Sequence, residues 1–249
     1  MSSPPGASPL LLCSNLLVGY GKKPLLPPID LTVQPGTVLA ILGRNGSGKS
    51  TLIKTLLGFL RPVGGRIVLP TPPPKMAYLA QASSLDGLIP VRAREVVAWG
   101  LESRWSFLGP RSGRGLRRSA DLVLEEVGAL GLRDRFVRDL SEGQKQRVQL
   151  GRVIAAQADL VFLDEPTAAM DAVAEQHTLA LLRAHSRKRG MAVILVTHLI
   201  GLIRRYADQV LFLDRDDGVA LAAEPGVVFE HPTFRRQYGE LGPAKHAEM

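Results

Sequence analysis

Apolar residues along this chain form runs of two kinds. Val38-Leu39-Ala40-Ile41-Leu42 is continuous, as expected of a strand buried on both faces of a parallel sheet. Leu160 to Leu163 and Ala192 to Val196 are apolar enough to be central strands as well. Leu10 to Val18, Ile29 to Val33, Arg66 to Leu69 and Met76 to Ala80 read as further strands, in the lobe around the first run. Between the last two lies Pro70-Thr71-Pro72-Pro73-Pro74, a rigid turn that no sheet interior accepts. After Gln81 the texture changes. Ala93 to Gly100 and Ser119 to Leu130 carry helical periodicity, so a helical insertion of about 60 residues is expected where the period passes from 2 to 3.6. Helices are expected again at Gln144 to Ala156 and Ala172 to Lys188, with β/α alternation between them. Gln209 to Leu213 and Gly218 to Ala222 read as a closing hairpin, and Pro232 to Gly239 as a short terminal helix. The pattern is that of an α/β protein.

Residues 43 to 51, Gly-Arg-Asn-Gly-Ser-Gly-Lys-Ser-Thr, follow the first apolar run directly. They match the phosphate-binding loop G-x-x-x-x-G-K-[ST], with Gly43, Gly48, Lys49 and Ser50 in the required slots. Glycines let successive N–H groups point inward at a phosphate chain. Lys49 is placed to reach β- and γ-phosphates, and the Ser50 hydroxyl to ligate magnesium. Ser50 to Leu57 reads as a helix whose N-terminus favours anions. Arg44, Asn45, Gly46, Ser47 and Thr51 complete the expected ATP-binding loop.

The run at 160 ends in Asp164, Glu165 and Pro166. Two acids closing a buried strand are costly unless they meet a cation or do chemistry. Asp164 suits a magnesium partner and Glu165 a general base that polarises water. The alternative is a strand that simply ends in solvent.

Length and composition narrow the field. The chain has 249 residues, 45% of them hydrophobic, enough for a sizeable core in one large domain or two small ones. No apolar run approaches the ~20 residues needed to cross a bilayer. Met1 to Pro9 lacks both basic residues and a signal core, so the chain is expected to stay cytoplasmic. That segment is Pro/Ser/Gly-rich and expected to be disordered. Cys13 is the single cysteine, which rules out an internal disulfide. The net charge is +8, and Arg104, Arg111, Arg114, Arg117 and Arg118 crowd one Gly-rich stretch, read as a solvated basic loop. Zinc-ligand spacing and aromatic–basic interleaving are absent, and no nucleic-acid partner is expected.

Leu140-Ser141-Glu142-Gly143-Gln144 makes the reading specific. It resembles the LSGGQ signature of ATP-binding cassette (ABC) ATPases. Other motifs of that family stand in order. Tyr20 occupies the place of the adenine-stacking aromatic, Gln81 of the Q-loop glutamine, Asp171 of the D-loop aspartate and His198 of the switch histidine. The resemblance spans roughly Leu10 to Gly239. It implies a P-loop NTPase (RecA-like) core with an antiparallel β subdomain and an inserted α-helical subdomain, about residues 85–156. One ABC ATPase domain is expected over 10–240, followed by a tail at 241–249.

It further implies ATP and Mg2+ as ligands, the metal on Ser50, Gln81 and Asp164, with Glu165, His198 and Gln81 catalytic. Ser141, Glu142, Gly143 and Gln144 then complete the ATP site of a second copy, giving an ATP-dependent homodimer. From the residues alone, Ser141-x-x-Gln144 is also a capping box, and cis and trans roles are not distinguished. Gly143 is a poor helix residue that lets a phosphate approach. Two positions depart from the family: Glu142 replaces the first signature glycine, placing an acid near a triphosphate, and Met170 replaces a leucine. Neither removes a catalytic group.

A lone cassette resembles the ATPase chains of bacterial importers. Pro90 to Gly100 resembles importers of metal ions and metal chelates, and His231 to Gly239 resembles the C-terminus of zinc and manganese importer ATPases. The expectation is metal-ion import through a separate permease fed by a substrate-binding protein, the ATPase being peripheral on the cytoplasmic face of the bacterial inner membrane. Leu85, Leu88 and Ile89, apolar residues in a loop-like stretch, are expected either to dock the permease or to pack within the chain. Import of iron chelates or cobalamin, export, and a soluble non-transport ATPase remain as alternatives.

Overall fold

The computed structural model describes residues 8–81, 90–101 and 114–239. In chain order the first elements are β1 (Leu11–Leu17), β2 (Gly19–Tyr20), β3 (Lys23–Pro24), β4 (Ile29–Val33), β5 (Val38–Leu42), α1 (Lys49–Leu56), β6 (Gly64–Val68) and β7 (Met76–Leu79). Next come α2 (Ala93–Leu101), α3 (Arg114–Glu126), α4 (Glu142–Ala155), β8 (Leu160–Asp164), α5 (Ala172–Arg189) and β9 (Ala192–Val196). The chain closes with α6 (Ile200–Tyr206), β10 (Gln209–Asp214), β11 (Val219–Ala223), α7 (Pro225–Glu230) and α8 (Pro232–Tyr238). Two compact units result, Met1–Pro74 with His185–Met249, and Lys75–Ala184.

Besides the short β2–β3 pair, the first unit holds strands of two sheets. In one, β4, β1 and β6 run antiparallel, Leu11 facing Val33 and Leu12 facing Val68. Ile29, Leu31 and Val33 are buried while Asp30 is exposed, the alternation of a sheet with one covered face. Cys13 lies inside this sheet, and burial, assisted by the Asp30 charge, pushes its thiol up to about 12. In the other, β5 pairs in parallel with β9 and with β10, and β10 pairs antiparallel with β11. All five residues of β5 and of β9 are buried, as their uninterrupted apolar runs require. β10 is thus both hairpin strand and core strand. Phe212 on β10 anchors the last helices: Phe234 meets it edge-on at 5.3 Å, and Tyr238 lies 4.8 Å from Phe234.

In the second unit β7 pairs in parallel with β8, Met76 opposite Leu160 and Leu79 opposite Leu163. A short strand carries no local signal of its partner, and β8 offers a fully buried edge. Helices α2, α3 and α4 pack around Val96, Val97, Ala120, Leu124 and Val148, all without exposed surface. Arg94 joins them by donating to Asp121 at 2.7 Å and Asp134 at 2.8 Å. Helix α3 begins at Arg114, before the expected Ser119, so Arg117 and Arg118 are helical and exposed. The apolar stripe Leu116, Ala120, Leu124 has four-residue spacing and carries the helix one turn upstream, with the arginines on its outer face. The helix ends at Glu126, short of the expected Leu130, where Ala129 N–H folds back to Leu124 O. Arg104, Arg111, Leu85, Leu88 and Ile89 lie outside the described residues.

Candidate functional site

Three loops leave the same end of the parallel strands in the first unit. Gly43 follows β5, His198 follows β9, and Asp214 ends β10. Carboxyl ends of parallel strands are where open α/β sheets hold ligands. A cavity of about 520 Å³ lies there, lined by Gly43 to Ser47, His198, Asp214 to Asp216 and Tyr238. Its size suits a small-molecule ligand.

The loop is shaped from within. Gly43 sits at φ 153, and a Cβ there would collide with Leu213 O and with Ser47 Oγ at 2.6 Å. Lys49 is buried and donates to Gly43 O at 2.7 Å and Arg44 O at 2.9 Å, its charge held by carbonyl dipoles. Helix α1 starts at this lysine with no acid in its first turn, and its N-terminus favours an anion. Ser47 Oγ is buried without a hydrogen-bond partner, as a polar atom awaiting a ligand would be. Arg44, Asn45, Gly46 and Ser50 are exposed. The residues present therefore fit a phosphate chain.

Tyr20 stands at the end of β2 with 59% of its surface open, and its hydroxyl lies 3.2 Å from Thr51 Oγ1 on α1. The expected stacking residue is thus tied to the helix that follows the phosphate loop. His198 is exposed in a turn held by Leu199 N–H donating to Thr197 Oγ1 at 3.1 Å.

The second unit carries the carboxylates. Because β7 and β8 run parallel, Gln81 and Glu165 emerge at the same end, and Gln81 Nε2 donates to Glu165 Oε2 at 2.6 Å. Asp164 is buried. The adjacent charge of Asp164 adds to burial in raising the Tyr78 phenol. Glu165 has φ 50, a left-handed backbone uncommon outside glycine and typical of strained functional positions.

Helix α4 opens with Ser141 as N-cap and a complete capping box with Gln144. Glu142, the acid that replaces the signature glycine, accepts from Lys145 Nζ at 2.7 Å in an exposed ion pair. Gly143 has a packing reason as well, since a Cβ there would come within 2.5 Å of Ala169 O. Asp171 caps α5 by accepting from Ala174 N–H at 2.8 Å. Met170 Sδ accepts from Thr178 Oγ1.

Sequence reasoning missed the cavity wall formed by Asp214, Arg215, Asp216 and Tyr238. Burial and Asp214 raise the Tyr238 phenol, against the nearby Arg44 charge. The signal for Asp214 was present: like Asp164, it is an acid ending an apolar run.

A G-x-x-x-x-G-K-[ST] loop between a buried parallel strand and a helix, at the carboxyl edge of such a sheet, is the arrangement of P-loop nucleotide-binding proteins. The family model described as ABC transporter matches residues 26–168. The chain belongs to the ABC transporter family, and its domain is an ABC ATPase. It is 35% identical over 232 residues to the zinc transport system ATP-binding protein TroB of Treponema pallidum (strain Nichols), covering 90% of this chain and 85% of that one. It is 34% identical over 213 residues to the manganese transport system ATP-binding protein MntB of Halalkalibacterium halodurans, covering 84% of each. Among solved structures, cbiO1 from Clostridium perfringens, part of the ABC transporter complex cbiONQ, is 27% identical with a TM-score of 0.74, over 92% of this chain and 94% of that one. No helix among the described residues is long and apolar enough to cross a membrane.

Proposed function

We propose that this chain is the ATP-hydrolysing subunit of a metal-ion importer of the zinc or manganese type. The observation that carries this reading is its match, over most of both chains, to subunits named for zinc and manganese transport. Two copies pair with ATP between them, each Ser141-to-Gln144 segment facing the other copy's nucleotide. The pair docks on a separate membrane permease fed by a substrate-binding protein, at the cytoplasmic face of the bacterial inner membrane.

In this reading the phosphate loop and Lys49 hold the β- and γ-phosphates, and Tyr20 packs on adenine. Mg2+, when bound, neutralises charge that builds on the phosphate oxygens. The Ser50 hydroxyl, Gln81 carbonyl and Asp164 carboxylate are oxygen donors of the kind a hard cation takes. Glu165 removes a proton from the attacking water, and its contact with Gln81 fixes the carboxylate rotamer. His198 contacts the γ-phosphate, and Asp171 lies at the pairing surface.

The test is uptake of radiolabelled zinc and manganese by cells lacking the chain. Uptake of one of them should fall on deletion, return with the intact chain, and stay low with Lys49→Ala. Unchanged uptake of both metals, with loss of an iron chelate or cobalamin instead, would overturn the assignment of cargo.

A further inference from the structure

Gln146 lies on α4, two residues beyond the signature-like segment, and none of the assigned roles uses it. Its side chain reaches the turn that follows β8. Ala169 N–H donates to Gln146 Oε1 at 3.1 Å, and Gln146 Nε2 donates to Glu165 O at 3.5 Å. The turn's own bonds are few. Ala168 N–H reaches Glu165 O at 3.3 Å, Met170 N–H reaches Thr167 O at 2.9 Å, and Pro166 has no N–H to give. One planar amide therefore spans the turn from Glu165 to Ala169, as a further peptide unit would.

The same helix face holds the rest of the segment. Gly143, Gln146 and Arg147 are spaced i, i+3, i+4 and share that face. Gly143 lets the Ala169 carbonyl approach the helix, while Gln146 takes the Ala169 N–H. Arg147 lies 3.9 Å from Asp171 at the far end of the segment. Glu165 sits in the middle of this contact with a left-handed backbone, a conformation that persists only where its surroundings over-determine it.

We propose that Gln146 is a positioning residue that locks the backbone of Glu165 to helix α4. The proposal rests on the reading of Glu165 as general base and deepens it. Gln146 bonds the backbone carbonyl of Glu165, and Oε2 of its carboxylate accepts from Gln81. It sets the direction in which that carboxylate leaves the chain. The lock also makes the start of α4 and the base one mechanical piece, so a ligand at Ser141 to Gln144 is felt at Glu165.

The test uses the full chain and ATP with Mg2+. Gln146→Met keeps length and removes both hydrogen bonds. Its kcat should fall about tenfold, as expected when a catalytic group is displaced by a fraction of an ångström, while KM and the nucleotide Kd stay within about twofold. Gln146→Glu keeps the acceptor for Ala169 N–H and should recover part of that loss. In the Glu165→Gln background, Gln146→Met should cost no further turnover, since the base it positions is gone. Wild-type kcat in Gln146→Met, no recovery in Gln146→Glu, or a full additive loss in the Glu165→Gln background each overturns the proposal. If Gln146→Met does not fold, judged by circular dichroism, Gln146→Asn takes its place in the same comparisons. Failure of the underlying reading looks different: Glu165→Gln alone would then keep its turnover, whatever Gln146 does.

Discussion

Glu165 and Lys49 are both charged and both tied to neighbours, yet their expected losses differ in kind. Glu165→Gln preserves volume and the contact with Gln81 while removing the base. It should bind ATP normally and lose turnover by about 10²–10⁴-fold. Lys49→Ala removes a buried ammonium that also braces two loop carbonyls, so nucleotide affinity should fall first. Isothermal titration with ATP and a phosphate-release assay separate the two, and a Glu165→Gln protein that hydrolyses ATP at near-normal rates at saturation would defeat the assignment. Legibility at this scale tracked sequence locality. The residues from Gly43 to Thr51 stood out because the G-x-x-x-x-G-K-[ST] pattern is one contiguous segment. Gln146 was not, because the groups it binds lie 19 and 23 positions further along the chain.

At the level of elements, continuous apolar runs and capping chemistry were reliable guides. β5, β8 and β9 stand where their runs placed them, and α4 starts on the Ser141 capping box. Less legible were α6 and α7, short helices whose stability comes from packing rather than from a long periodic pattern. The final helix α8 matters beyond its length, because Tyr238 at its end lines the cavity beside the phosphate loop. Phe234 holds it, fully buried between Phe212 and Phe229. Phe234→Ala should lower stability by about 3–5 kcal/mol, the usual cost of emptying an aromatic core position. Urea denaturation is expected to show a lower midpoint at unchanged slope. A loss under ~1 kcal/mol would show that the aromatic cluster does not anchor the helix.

For the molecule as a whole, the proposal that matters is pairing. With ATP and Mg2+, Glu165→Gln should sediment as a dimer, because nucleotide that is not hydrolysed stays trapped between two copies. Adding Ser141→Arg puts bulk and charge at the shared phosphate and should return the sedimentation to monomer. A Glu165→Gln chain that stays monomeric with ATP at high concentration would sink the trans arrangement. The sequence by itself determined the α/β class, the glycine-rich loop after β5, the two acids ending β8 and the capped start of α4. Each of these depends on residues adjacent in the chain, where periodicity and spacing are the physics. Only the tertiary structure decided that β7 pairs with β8 and so brings Gln81 to Glu165, 84 residues apart. The same holds for Asp214 and Tyr238 joining the loop after β5, and for Gln146 closing the turn after Glu165. Strand partnership and helix docking are set by which buried surfaces fit together, and that fit leaves no local trace in the order of residues.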